Sequence, residues 1–237
     1  MLFLREQLDD PEAAPCGRCD NCGGLSLSTE VSAAAVTEAQ ERLARPGVPL
    51  PPRKMWPTGL DRLGMDLRGK VAEQALEGRA VARLTDLGYG QALRELFREG
   101  TPDGPVPVPL VQAVIEVLGD WRPEVDAVVE VESTSRPELV GSLADGLSRY
   151  LQVPLLGRWA VMDPEVPPGR GQANSAQRVA AVSRRSGLEA EPGALEGRRV
   201  LLVDDLVDTG WSTTLAARAV LRAGAVSVQP LVLAVRA

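Results

Sequence analysis

The sequence has 237 residues, 44% of them hydrophobic, and a formal net charge of −6, which gives enough apolar content for one to two domains with their own cores. No apolar run is long enough to span a membrane, and the acidic balance opposes non-specific nucleic-acid binding by the whole surface. Three cysteines, an odd count, and no signal-peptide pattern oppose a secreted disulfide scaffold and give the expectation of a cytoplasmic protein.

Residues 1–8 are compatible with a helix and lead into Cys16-x-x-Cys19-x-x-Cys22. Three thiolates at this spacing are a fragment of a metal site, because a closed structural zinc site takes four nitrogen or sulfur ligands. The bacterial iron–sulfur spacing fails, since Ser26 stands where its next cysteine would be. The run Pro15-Cys-Gly-Arg-Cys-Asp-Asn-Cys22 resembles the zinc-binding subdomain of RecQ-family DNA helicases. That resemblance implies Zn²⁺ held by Cys16, Cys19 and Cys22, with a fourth cysteine that would fall just upstream of Met1. It also implies that residues 1–27 are a partial zinc subdomain at the tail of a longer helicase, with DNA as a partner through that parent. Without the fourth ligand the fragment is expected to be poorly ordered, or to borrow one from water, Asp20 or another chain. The helicase motor itself is absent: the nearest approach to a P-loop, residues 64–71, has Val71 where a Ser or Thr must reach Mg²⁺.

Pro-rich stretches at 46–57 and 101–109 bracket residues 58–100, which read as helical. Residues 28–109 are therefore expected to be a helical and Pro-rich spacer. Over residues 53–98 nine Arg or Lys stand against six Asp or Glu, a local excess of three positive charges. Arg53, Lys54, Arg62, Arg68 and Lys70 are the candidate DNA contacts, with Trp56 and Tyr89 available to stack.

From residue 110 onward the pattern is α/β. Residues 125–131 read as a strand, 133–137 as a loop, 139–151 as a helix and 153–156 as a short strand, which together make a β-α-β unit. The Pro/Gly-rich residues 163–172 read as a mobile loop ahead of a helix at 175–183. Val200-Leu-Leu-Val203 then reads as a central strand buried on both faces of a parallel sheet. It runs into Asp204 and Asp205, then the turn Asp208-Thr209-Gly210-Trp211, then a helix from Ser212 to Ala223. Carboxylates only accept hydrogen bonds when ionised, so the acidic pair suits ribose hydroxyls or Mg²⁺. The glycine turn and the N–H groups of the new helix suit an anion, with the hydroxyls of Thr209, Ser212 and Thr213 as further donors. Such an order of groups fits a phosphorylated sugar. A last strand is expected at 227–235.

The run from Val200 to Thr213 resembles the phosphoribosyl-pyrophosphate (PRPP) signature of type I phosphoribosyltransferases, and the irregular loop resembles the ComF-like branch of that family. The resemblance implies a parallel sheet flanked by helices over residues 110–237. It assigns Asp204 and Asp205 to the ribose hydroxyls, and Asp208, Thr209, Gly210, Trp211, Ser212 and Thr213 to the 5-phosphate. Ser135 and Arg136 match the pyrophosphate loop, which lacks its usual glycine-rich form, and Gln172 and Arg178 match the flexible loop. The cover over the ligand is expected from residues 106–121. Two functions follow: an accessory region of a RecQ-like helicase that binds a phosphorylated ribose, or an active transferase using Mg²⁺ and PRPP.

Overall fold

The computed structural model describes residues 2–19, 22, 30–169 and 174–236, and the chain divides into two compact units, 1–42 and 43–237. In the first unit, helix α1 (Leu2–Gln7) precedes the cysteine run, and helix α2 (Ala33–Ala44) follows it. None of the described residues of this unit is buried. A salt bridge of 2.6 Å from Arg5 to Asp10 and a hydrogen bond from Arg5 to the carbonyl of Glu12 (2.9 Å) fold the chain back after α1.

The second unit is built on a seven-stranded sheet. Its strands are β1 (Val48–Leu50), β2 (Gly78–Arg83), β3 (Ala127–Val131), β4 (Leu155–Val161), β5 (Ser186–Ala190), β6 (Arg199–Val207) and β7 (Ser227–Val235). The spatial order is β1-β2-β7-β6-β3-β4-β5, with parallel pairing from β2 through β4 and antiparallel strands at both edges. Helices α3 (Tyr89–Leu96), α4 (Val108–Trp121) and α5 (Pro137–Leu151) cover one face, and α6 (Ser175–Arg185) and α7 (Trp211–Arg222) cover the other. Along β6, Leu201 and Val203 belong to the first core while Val200 and Leu202 belong to the second. All four have no solvent exposure, as a central parallel strand requires. The expected α/β sheet flanked by helices is therefore present.

From residue 43 on, the spacer expected at 28–109 belongs to the sheet unit. Residues 43–109 supply β1, β2, α3 and most of the connections to α4, and they extend the sheet past β7. Alanines obscured this, because Ala80 and Ala82 favour helix intrinsically, yet both are buried in a strand paired to β7. Gly78 marks the crowding there: a Cβ would lie 2.2 Å from the carbonyl oxygen of Pro230. Strand β4 begins later and runs longer than its expected 153–156, and β5 completes a sheet edge where no element was expected. Helix α4 buries Leu110, Ala113, Val114, Val117 and Leu118 in the core, so residues 106–121 are a supporting layer and not a cover over a ligand.

The start of β6 is fixed by Arg199, whose guanidinium forks onto Asp126 (3.0 and 2.9 Å) beside β3 and reaches Glu124 at 2.6 Å. Those hydrogen bonds, chiefly from the Arg199 side chain, hold the Asp126 carboxyl at about 2, below its ordinary 3.8. A depressed carboxylate stabilises the fold above its unfolded value and loses that contribution as pH falls through its folded one. Asp126→Asn is thus expected to lower the melting temperature near pH 6 and to flatten its decline between about pH 4 and pH 2, as followed by circular dichroism. An unchanged acid profile would contradict this.

Candidate functional site

Strand β6 is paired with β3 only as far as Val203, opposite Glu130, but with β7 as far as Val207, opposite Val235. Residues 204–207 therefore continue beyond β3 with one edge open, and Asp204 and Asp205 stand on this overhang. Both are only 6% exposed. The Asp205 N–H donates to Asp204 Oδ1 (2.8 Å), and the Leu206 N–H donates to Asp205 Oδ1 (2.6 Å). Ser133, in the loop after β3, donates its hydroxyl to Asp205 Oδ2 at 2.7 Å. The pair is thereby oriented before any ligand arrives.

After Val207 the chain turns through Asp208, Thr209 and Gly210 into α7. Gly210 has φ +76° and ψ +7°, a left-handed conformation that glycine adopts without strain, and it precedes a helix whose first turn carries no side-chain cap. The N–H groups at the start of α7 thus meet a cleft of about 240 Å³, lined among others by Asp204, Asp205, Asp208, Thr209, Ser212 and Thr213. Ser133, Thr134 and Ser135 line it as well, beside Asp205. Arg178 of α6 closes one side, with Nη1 3.5 Å from Asp208 Oδ2. Acceptors at one end and donors at the other share one cleft.

Several expected side chains lie elsewhere. Trp211 is 4% exposed and stacks on Trp56, with ring centroids 6.1 Å apart and planes 15° apart, so only its backbone N–H can serve an anion. Arg136 is 7% exposed and donates to the carbonyls of Thr101 (2.5 Å) and Arg98 (3.2 Å) beyond the C-terminus of α3, which takes it out of the pyrophosphate role. The N-terminus of α5 is occupied as well, since Asp103 accepts from the N–H groups of Glu138 (2.7 Å) and Leu139 (3.3 Å). Ser135 does line the cleft. Gln172 lies outside the described residues.

The basic residues expected to contact DNA are dispersed. Arg53 donates Nε and Nη2 to the Thr209 carbonyl (2.9 and 2.7 Å) and lies over Trp211 at 4.9 Å, so it belongs to the turn. Lys54 lines a neighbouring cavity of about 440 Å³, and Arg62 a third of about 520 Å³ beside the start of α6. Arg68 pairs with Asp66 at 3.0 Å in full exposure, where such a pair contributes little. Lys70 sits in an antiparallel bridge with Met55. Neither proposed stacking ring is free, because Trp56 is 7% exposed and Tyr89 packs against the core.

Residues 51–77 pack on α7, and neither they nor residues 106–121 line the cleft. The former bury Trp56, Leu60 and Val71 against α7, pair Glu73 with Arg218 (3.4 Å) and Arg222 (3.3 Å), and accept a hydrogen bond from Arg184 at the Leu63 carbonyl (2.8 Å). The contributions of Ser133, Trp56 and Arg53 to the site were not foreseen. Only the tertiary fold joins Arg53 to Thr209, 156 positions away.

In the first unit the three cysteine sulfurs lie within 4.8 Å of one another, with Cys22 Sγ 3.8 Å from Cys16 Sγ and 3.4 Å from Cys19 Sγ. Thiolates bound at ~2.3 Å to a tetrahedral Zn²⁺ stand roughly 3.8 Å apart, so the group could hold a metal ion. The Arg18 backbone N–H, followed by the Cys19 thiol, draws the Cys16 thiol down to about 7, while Cys22 and then Cys16 raise that of Cys19.

No protein-family model and no curated protein matches the sequence. Among solved structures the chain is similar to a purine phosphoribosyltransferase from Pyrococcus horikoshii OT3, at 20% identity and a TM-score of 0.35 over 54% of this chain and 71% of that one. It is also similar to an adenine phosphoribosyltransferase from Thermoanaerobacter pseudethanolicus, at 19% identity and 0.36 over 61% and 98%. A third is the glutamine PRPP amidotransferase of B. subtilis complexed with ADP and GMP, at 26% identity and 0.30, where the chain spans 46% of its own length and 22% of the other's. At such scores the site rests on its own residues.

Proposed function

We propose that the cleft beyond β6 binds a phosphorylated ribose, and that the chain is an accessory region of a RecQ-like DNA helicase. The observation that carries the first part is the pair of buried, pre-oriented carboxylates facing the uncapped, glycine-led start of α7 across one small cleft. Sugar hydroxyls donate to the carboxylates of Asp204 and Asp205. The phosphate takes the N–H groups of residues 210–213 and the hydroxyls of Thr209, Ser212 and Thr213, assisted by the positive end of the helix. Arg178 offsets the charge of Asp208, which would otherwise repel the phosphate.

The same acidic pair supports a second reading, transfer of the phosphoribosyl group from PRPP. Asp204 and Asp205 have the oxygen chemistry to hold Mg²⁺, and the ion would supply neutralisation of the departing pyrophosphate. Binding is favoured over transfer, because the loop that would receive pyrophosphate offers hydroxyls and Glu132 but no spare cation. Its Arg136 is committed to two carbonyls, and the adjacent start of α5 is capped by Asp103.

Calorimetry with ribose 5-phosphate and with PRPP, each with Mg²⁺, tests both readings. The binding reading predicts affinities for the two ligands within about threefold, and a loss of at least about tenfold (1.4 kcal/mol) in Asp204→Asn/Asp205→Asn. PRPP binding tighter by tenfold or more would favour transfer, and no binding of either ligand would sink both.

The helicase context is supported by the likeness of the Pro15 to Cys22 run to the RecQ zinc subdomain and by the metal-compatible spacing of the three sulfurs. DNA contact would then be made through the parent protein. The full chain, purified reduced and titrated with Zn²⁺ under native mass spectrometry, is expected to take up one ion and to lose it in Cys19→Ser. Failure of the wild-type chain to bind Zn²⁺ would remove the support for this context.

A further inference from the structure

The segment 51–77, packed on α7, reaches the turn before that helix through Arg53. Pro51 and Pro52 restrict the backbone just before Arg53, and Gln74 Nε2 donates to the Arg53 carbonyl at 2.8 Å, so the base of this side chain is held at both ends of the segment. From there the guanidinium sends two N–H groups to a single acceptor, the Thr209 carbonyl, at 2.9 and 2.7 Å. It lies at the same time over the Trp211 ring, 4.9 Å from its centre.

The consequence lies in the next peptide unit. A trans peptide sets its C=O and N–H in opposite directions, and no described peptide bond is cis. With the Thr209 carbonyl drawn toward Arg53, the Gly210 N–H is turned the other way. Arg53 lines the 440 Å³ cavity on the far side of the turn and does not line the 240 Å³ cleft. The Gly210 N–H is therefore presented to that cleft. Because Gly210 has no Cβ and a positive φ, its peptide could otherwise rotate at little steric cost, so the turn needs an external hold.

We infer that Arg53 is a positioning residue for the anion site. It fixes the 209–210 peptide so that the Gly210 N–H joins those of α7 in receiving a phosphate, without itself touching the ligand. The role rests on the reading of the cleft as a phosphorylated-ribose site. It also gives residues 51–77 a task beyond packing on α7, since the segment delivers the residue that shapes the turn.

The test is calorimetry with ribose 5-phosphate on the wild type, Arg53→Met and Arg53→Lys, with Lys54→Ala as a neighbouring loss of charge. Methionine keeps apolar packing on Trp211 while removing every donor, so the variant is expected to fold, which circular dichroism checks. Arg53→Met is expected to bind at least tenfold more weakly. Arg53→Lys, which restores a donor to the carbonyl, is expected to recover at least half of that loss on a logarithmic scale, and Lys54→Ala to stay within twofold of wild type. Binding by Arg53→Met within twofold of wild type, equal weakness of the Met and Lys variants, or an equal loss in Lys54→Ala would overturn the role. A wild type that binds no ribose 5-phosphate would instead overturn the reading of the cleft, and this role with it.

Discussion

The open edge of β6 is the constraint on which the site depends. Where β3 ends its pairing at Val203, β7 continues to Val207, so residues 204–207 are held straight from one side and, unpaired with β3 on the other, line the cleft. A strand paired on both sides along its whole length would bury its polar backbone in ladders and leave no room for two acids. A strand unpaired on both sides would have no fixed direction. The overhang satisfies both demands, and the crevice beyond the carboxyl ends of parallel strands is where α/β sheets commonly bind their ligands.

Two adjacent buried carboxylates are costly unless hydrogen-bonded. Here the compensation is local: the backbone donors of Asp205 and Leu206 and the hydroxyl of Ser133 each take a carboxylate oxygen. These groups orient the acids. Around the turn the cations are placed with equal economy. Arg178 lies against Asp208 and Arg53 against the Thr209 carbonyl, so positive charge surrounds the anion turn without filling it. Arg136, by contrast, is spent on joining α3 to the start of α5, a structural task that leaves the β3 loop without a cation.

What the sequence disclosed follows from the range of the interactions involved. The strand at Val200 to Val203, the acids after it, and the glycine that opens α7 are contiguous, and their order alone implies their geometry. Strand β2 was hidden, because Ala80 and Ala82 carry no strand preference of their own and acquire their conformation from pairing with β7. Trp211 sits within the signature, yet its ring is claimed by Trp56 from residues 51–77. Arg136 stands where a phosphate ligand would be sought, but its partners are backbone carbonyls of residues 98 and 101, which no side-chain pattern announces. Arg53 looked like one basic residue among several until the fold brought it to the turn. Local chemistry was legible; the commitments of side chains to distant backbone were not.

The central claim is that the backbone from Gly210 into α7 receives a phosphate while the acids of β6 hold a sugar. It is tested most directly by following the backbone amides of the ¹⁵N-labelled protein during titration with ribose 5-phosphate. The account predicts that the amide signals of residues 210–213, together with those of Asp205 and Leu206, shift in a saturable manner, and that inorganic phosphate moves only the former group. Saturable shifts confined to another part of the molecule, with residues 204–213 unmoved, would contradict it.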